Sequence, residues 1–111
     1  MQFEFGEVVL VPFPFTSQSG AKQRPGVIVS RVAYNDAKPD VVLMAITSQF
    51  RPSPAFGELW LSHWQQAGLL KPSAIKPVFA TLEQRLVIRR LGTLHQTDQT
   101  VLRDIIVKII G

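Results

Sequence analysis

The chain contains no cysteine. Disulfides, zinc–thiolate sites and a cysteine nucleophile are therefore excluded, and the composition fits a reducing compartment. Long hydrophobic runs are also missing, since the longest apolar segments reach about half of the roughly 20 residues that span a bilayer. The first residues include Glu4 and no basic leader. We therefore expect no secretion signal and no membrane segment, and a protein that stays in the cytoplasm.

Residues that commonly bind metals are sparse. The two histidines, His63 and His95, are far apart, and neither has a partner at the spacing of metal ligands. The acidic residues Asp36, Asp40 and Glu58 are scattered. We expect no metal site and no cofactor. A Ser-His-Asp triad stays open, because its geometry cannot be read from spacing.

What the chain does contain is enough apolar material for one folded domain over residues 1–111. Hydrophobic residues make up 46% of the 111 positions, and charged residues make up 18%. The excess is basic, with 12 Lys and Arg against 8 Asp and Glu and a net charge of +4. This surplus permits a polyanionic partner but does not require one.

Short segments of β-branched and aromatic residues, several of them alternating, predict strands. The run at 40–48 is nearly continuous in apolar character, which favours a central position in the sheet. Pro12 and Pro14 cannot donate to a ladder, so the end of the first strand should lie at a sheet edge. The predicted strands are 6–15, 26–32 (opened by Pro25), 40–48, 58–61, 73–82 (interrupted by Pro77) and 87–94.

Residues 97–110 differ, because their apolar residues recur at three- and four-residue spacing. That stripe predicts an amphipathic helix with Thr97 or His95 as its N-cap. Between the elements we expect a mobile loop at 16–24, a turn at 34–39, a loop at 49–57 and a turn of helix at 62–68. The pattern indicates a mostly β, α+β fold: a small, strongly curved barrel with the helix packed on it.

One constellation suggests chemistry. Arg24 lies where a polar loop meets a strand, while Thr47 and Ser48 end a buried strand. If these strands are neighbours, a guanidinium and two hydroxyls converge, and that combination suits a phosphodiester. By residue type alone the simpler interpretation is a solvated charge at Arg24 and a β-forming Thr47.

A family resemblance favours the phosphodiester site over this simpler interpretation. Gly6 and Glu7 open an apolar strand, a Gly-containing loop follows, and Arg24-Pro25 precedes a Val/Ile strand; residues 45–49 and 68–111 continue the order. This ordered set resembles the MazF/PemK family of endoribonuclease toxins. The resemblance implies an SH3-like barrel of about five to seven strands, a homodimer and a cognate antitoxin. It also implies metal-independent cleavage of single-stranded RNA at short motifs, through the RNA 2′-hydroxyl.

The resemblance also assigns residues. Arg24 and Thr47 match the catalytic arginine and threonine of the family. Ser48 and Gln49 match the residues just after that threonine. By residue type and position beside the two loops, Lys22 and Arg51 are expected to contact backbone phosphates, and Phe15 and Phe50 either stack on bases or belong to the core. The expected substrate-binding residues are Lys22, Gln23, Ser48, Gln49, Phe15, Phe50 and Arg51.

One departure keeps a non-catalytic alternative open. Many members of the family carry an arginine where this chain has Ala80, just before Thr81. A degenerate RNA-binding or protein-binding barrel is therefore an alternative. Relatives that bind DNA gyrase without chemistry are another, but they end in an aromatic tripeptide, whereas this chain ends Ile-Ile-Gly.

Overall fold

The structure is a computed structural model that describes residues 2–13, 22–49 and 53–111. Those residues form six strands and two helices, with one turn of 3-10 helix at Gln84–Leu86. The helices are α1 Val32–Ala37 and α2 Gln96–Ile110. The strands are β1 Glu7–Phe13, β2 Lys22–Ile28, β3 Asp40–Thr47, β4 Leu59–Trp60, β5 Ala74–Glu83 and β6 Arg89–Thr93.

The described strands form one antiparallel sheet in the order β4-β5-β3-β2-β1-β6. The apolar strand β3 lies inside the sheet between β5 and β2, as its composition predicts. The sheet curls into a half-barrel, and α2 packs on it. The expected mostly β fold with a C-terminal helix is confirmed.

Both faces of the sheet are buried, which explains why β1 is apolar on both sides. Val8 belongs to a core cluster that includes Leu102 of α2. Its neighbour Val9 points to the opposite face and joins a second cluster with Phe3. All four side chains are fully buried. Burial of each of these side chains contributes about 1.5–3 kcal/mol of hydrophobic stabilisation. Leu102 places α2 over one face of the sheet, and Phe3 places the N-terminal segment over the other.

Pro12 and Pro77 lie at positions of the sheet where no backbone N–H is needed for strand pairing. Pro12 lies beyond the last described pairing of β1 with β6, so β1 pairs there with β2 alone. Pro77 does not interrupt β5, which runs continuously. Instead, the β3–β5 register slips, and residues 76–78 face only Ala45. This bulge accommodates a residue without an N–H.

The prediction for the second strand was wrong at both ends. β2 begins at Lys22 and ends at Ile28, because pairing of Lys22 with Phe13 extends the ladder into residues whose polarity is typical of a loop. Arg24 therefore lies within a strand and not in a loop. The rest of the predicted loop, residues 16–21, lies outside the described residues.

The predicted turn at 34–39 is largely the short helix α1. Asn35 is buried, and its amide donates to the carbonyls of Phe3 at 2.9 Å and Ser30 at 3.0 Å. The Tyr34 hydroxyl donates to Asp40 at 2.8 Å, and this hydrogen bond raises the pKa of Tyr34. These tertiary bonds hold a helical turn that local propensity does not predict.

Two other predicted elements, the turn of helix at 62–68 and the strand at 87–94, also differ from the structure. Residues 62–68 form consecutive turns and no helix. The predicted strand at 87–94 is shorter, because the 3-10 turn and two extended residues precede β6.

The N-terminus of α2 is tied to the 62–68 turns. His95 is the N-cap, and its Nδ1 accepts from the Thr97 N–H at 3.1 Å. The Asp98 carboxylate is 1% exposed and accepts from the backbone N–H groups of Ser62 at 3.1 Å and His63 at 3.0 Å. The rings of His63 and His95 stack with centroids 3.9 Å apart. Asp98 thus joins two segments that are remote in sequence.

We predict that Asp98→Ala lowers the free energy of unfolding by about 2–3 kcal/mol, because two part-buried backbone N–H donors lose a charged acceptor. Urea denaturation followed by circular dichroism measures the change. The exposed Asp104 of the same helix provides the control, and Asp104→Ala should change stability by less than about 0.5 kcal/mol. Equal effects of the two substitutions would contradict a structural role for Asp98.

Candidate functional site

The described part of the molecule has an open groove of about 800 Å³. We call it the groove. Its walls come from β1, β2, the end of β3, the 68–73 segment, β5 and β6. Its polar and charged lining residues are Arg24, Thr47, Ser48, Gln49, Lys71, Ser73, Lys76 and Arg89.

The pairing of β2 with β3 brings Arg24 towards Thr47. Gly26 pairs with Ala45 at the end of the β2–β3 ladder, and Arg24 and Thr47 each lie two residues beyond this pair. Both residues line the groove, Arg24 exposed and Thr47 half-buried. The convergence expected from sequence is therefore present, while the catalytic roles of the two residues stay predictions.

The Thr47 hydroxyl is engaged by the turn that follows β3. Its oxygen accepts from the Gln49 N–H at 3.0 Å and donates to the Gln49 carbonyl at 3.2 Å. A phosphate oxygen that receives this proton must replace the Gln49 carbonyl. Thr47 thus shapes the turn that places Ser48 and Gln49 on the groove, and it can switch its donor bond to a ligand.

The other expected substrate residues divide into three groups. Ser48 and Gln49 line the groove and are exposed. Lys22 and Gln23 are exposed on β2 but are not among the residues that line it, so their contact with a substrate stays a prediction. Phe15, Phe50 and Arg51 lie outside the described residues.

Three basic residues of the groove were missed from the sequence: Lys71, Lys76 and Arg89. Each is exposed, and no carboxylate of the described residues pairs with any of them. Lys76 lies in the β5 bulge, and Arg89 begins β6. For Lys76 the sequence held a usable signal, a lone basic residue inside an otherwise apolar strand; Lys71 lies outside the strands, and Arg89 has Arg90 beside it.

Ala80 lies away from the groove. It is half-buried, pairs with Leu43 of β3 and packs against the second core cluster. The basic groups that line the groove come from other positions, so the departure at Ala80 does not leave it without cations.

Two glycines position the 68–73 wall. Gly68 has φ +82°, and a Cβ there would lie 2.0 Å from the Leu91 carbonyl oxygen. A Cβ on Gly92 would lie 2.6 Å from the backbone of Ala67. Because backbone meets backbone, neither site accepts a side chain without displacing the wall.

We predict that Gly68→Ala destabilises the fold by on the order of 3 kcal/mol, because a positive φ and a backbone clash combine. Gly57→Ala is the matched control: Gly57 also has a positive φ, +86°, but the atoms nearest to a Cβ there belong to side chains and lie 3.2 Å away or more. Urea unfolding of both variants separates the clash from the dihedral strain. A Gly68→Ala variant as stable as the Gly57→Ala variant would show that the wall is free to move.

Residues 2–13, 22–49 and 53–111 contain neither a metal-binding cluster nor a membrane-spanning helix. No group of three or more His, Asp or Glu side chains among them is arranged to hold a metal ion. No helix formed by these residues is long and apolar enough to cross a membrane.

Known proteins resemble this chain in both sequence pattern and fold. The family model for PemK-like, MazF-like toxins of type II toxin–antitoxin systems matches residues 4–110. No curated protein matches the sequence. The chain is similar to a solved endoribonuclease in complex with its cognate antitoxin from a mycobacterial species, with TM-score 0.78 and 18% identity over 98% of this chain and 95% of that one.

Two further solved structures are similar. A chain of the MazE–MazF structure (Form II) from Deinococcus radiodurans has TM-score 0.75 and 18% identity, over 100% of this chain and 97% of that chain. The toxin MazF-mt6 of Mycobacterium tuberculosis has TM-score 0.74 and 19% identity, over 92% and 93% of the two chains. At these identities the likeness establishes a shared fold.

Proposed function

This chain belongs to the PemK-like, MazF-like toxins of type II toxin–antitoxin systems, and we propose that it is an endoribonuclease that cuts single-stranded RNA in the groove. The observation that carries the proposal is that Arg24 and Thr47 line one groove together with further cations that no described carboxylate pairs. The described lining contains no acidic residue. A concave site whose charges are all basic attracts a polyanion.

The proposed reaction uses the nucleophile that RNA itself carries, the 2′-hydroxyl. The O2′–phosphorus bond forms while the bond from phosphorus to O5′ breaks. The O2′ proton leaves to solvent, and O5′ takes up a proton. The products are a 2′,3′-cyclic phosphate and a 5′-hydroxyl.

Arg24 and Thr47 act on the charge that develops on the nonbridging phosphate oxygens. Arg24 offers a charged, planar donor pair, and Thr47 adds a hydroxyl donor once it releases the Gln49 carbonyl. These bonds strengthen as the oxygens gain charge, so they stabilise the transition state more than the ground state. The mechanism needs no metal ion.

The groove offers no carboxylate or imidazole as a base. Among the described lining residues there is none, and residues 14–21 and 50–52 contain no Asp, Glu or His in their sequence. Arginine keeps its proton and is a poor base. We therefore assign the O2′ proton to solvent, which implies a slow enzyme.

We predict that Arg24→Ala lowers the rate of RNA cleavage in the presence of EDTA by about 10²–10³-fold, because one transition-state donor is lost. Long RNA incubated with purified protein, followed by analysis of the product ends, measures both rate and chemistry. The exposed Arg31 lies outside the groove, and Arg31→Ala should cut as the native protein does.

Three results would count against the proposed chemistry. They are cleavage that EDTA abolishes, products that carry a 3′-hydroxyl, and intact RNA with the native protein. The last result would return the chain to the non-catalytic alternative, a binding barrel, which the family match and the groove do not favour.

We predict that log(kcat/KM) rises steadily with pH between about pH 6 and pH 8, because deprotonation by hydroxide limits the reaction. A base side chain would instead produce a plateau or a bell in this range. The measurement uses a short oligonucleotide with a single cleavable ribonucleotide. A bell-shaped profile would show that a side chain, from this chain or a second copy, accepts the proton.

Further proposals concern the setting. Residues 1–111 form one toxin domain, which agrees with β1 pairing with β6 from the far end of the chain. The toxin works as a homodimer in the cytoplasm, and a cognate antitoxin neutralises it by covering the groove. The solved relatives from the mycobacterial species and from Deinococcus radiodurans, which occur with their antitoxins, support the antitoxin as a partner.

A further inference from the structure

We propose that Lys71, Lys76 and Arg89 form a second phosphate subsite in the groove, distinct from the position of the scissile phosphate at Arg24 and Thr47. The inference rests on the proposed function, because it names how the same RNA is held. Its ligand is a phosphodiester that flanks the one being cut.

The three residues reach the groove from three separate elements. Lys71 lies on the 68–73 wall, Lys76 in the bulge of β5 and Arg89 at the start of β6. No short sequence motif contains them, and only the curl of the sheet assembles them. Three cations from independent segments on one concave surface form a site and not a local charge run.

The sheet register separates this subsite from Arg24. Leu10 of β1 pairs with Pro25 on one side and with Arg89 on the other. With a strand spacing of about 4.8 Å, the backbone of Arg89 lies about 10 Å from that of Pro25, the neighbour of Arg24. The two arginines therefore enter the groove from different walls, which suits two successive phosphates.

The charges of the subsite are uncompensated, in contrast to a cation beside it. Arg90, next along β6, is bound by Glu7 at 2.7 Å. Arg89 has no such partner among the described residues, and the same holds for Lys71 and Lys76. Like charges on a concave wall repel one another, and an anionic ligand relieves that repulsion.

Apolar side chains beside the cations favour a nucleotide over a free anion. Leu70 lines the groove and is 94% exposed, and Val78 lines it and is 45% exposed. Leu70 directly precedes Lys71, and Val78 follows Lys76 by two positions, so each offers a base a surface next to its phosphate. The geometry thus fits a sugar–phosphate unit with its base.

The test measures binding with oligonucleotides built on the mapped cleavage site. The nucleotide at that site carries a 2′-O-methyl group to prevent cutting, and each phosphate in turn is replaced by a neutral methylphosphonate. Fluorescence anisotropy gives the affinity of the native protein and of the triple variant Lys71→Gln/Lys76→Gln/Arg89→Gln. The matched control is Arg31→Gln/Lys38→Gln/Lys108→Gln, which removes the same charge from exposed residues outside the groove.

We expect one flanking methylphosphonate to weaken binding to the native protein by roughly ten-fold or more, the usual size of a lost charge-assisted contact. The same replacement should have no effect on the triple variant. The slope of log affinity against log salt should fall by roughly 0.7 in the triple variant, the value for one phosphate contact on a single strand. The control triple should keep the native pattern.

Several results would overturn the subsite. One is a flanking methylphosphonate that weakens the native protein and the triple variant equally. Another is a control triple that loses as much affinity as the groove triple. A third is unchanged RNA binding by the groove triple together with weaker binding of poly-glutamate, which would assign the cations to an acidic protein partner.

The outcome separates this inference from the proposed function. Native protein that cuts RNA, with loss of cutting in Arg24→Ala and no effect of the groove triple on binding, overturns the subsite alone. Native protein that cuts no RNA overturns the endoribonuclease; binding of an arbitrary single-stranded oligonucleotide to the native protein, the groove triple and the control triple then decides whether the three cations hold a phosphate. The three residues are exposed, so the variant should fold, and its far-ultraviolet circular dichroism verifies this.

Discussion

The register between β2 and β3 is the constraint on which the groove depends. Val27 pairs with Met44, and both side chains are fully buried. Because successive side chains of a strand point to opposite faces, a slip by one residue would move one partner of this pair to the other face of the sheet, disrupt the packing of both core clusters and turn Arg24 away from Thr47. The hydrophobic core therefore fixes which residues meet at the groove, although neither belongs to the core.

The acidic side chains and the basic groove residues have separate roles. Of the acidic side chains, Glu7 binds Arg90, Asp40 accepts from Tyr34 and Asp98 holds backbone N–H groups. Each is used to hold the fold together, away from the groove. The net charge of +4 alone is a weak argument for a polyanion. Its concentration on one concave surface without a carboxylate among the described lining residues is a much stronger one.

The sequence predicts those parts of the fold that depend on local pattern. Alternation located the apolar strands, and the spacing of apolar residues located α2. Arg24 and Thr47 could be found because a family order of motifs marked them. The polar residue Lys22 was predicted to lie in a loop, because its own side chain does not favour a strand. It is in a strand because its backbone pairs with β1. Lys76 is visible in the sequence as a lone basic residue in an apolar strand, but its meeting with Arg89 could not be predicted, because a bulge and the curl of the sheet bring the two together.

The C-terminal helix does more than cover a core face. Asp98 of α2 holds the start of the 62–68 turns, and those turns lead to Gly68, which lies against the backbone of β6. The wall that carries Lys71 is thus held in part from outside the groove by Asp98, and in part by the close contact of Gly68 with Leu91 on β6. The chemistry of the groove depends on the β2–β3 register, whereas the width of the groove depends on α2 and β6. Because separate contacts hold the two walls, a change at the second wall can alter how RNA is held while Arg24 and Thr47 keep their places.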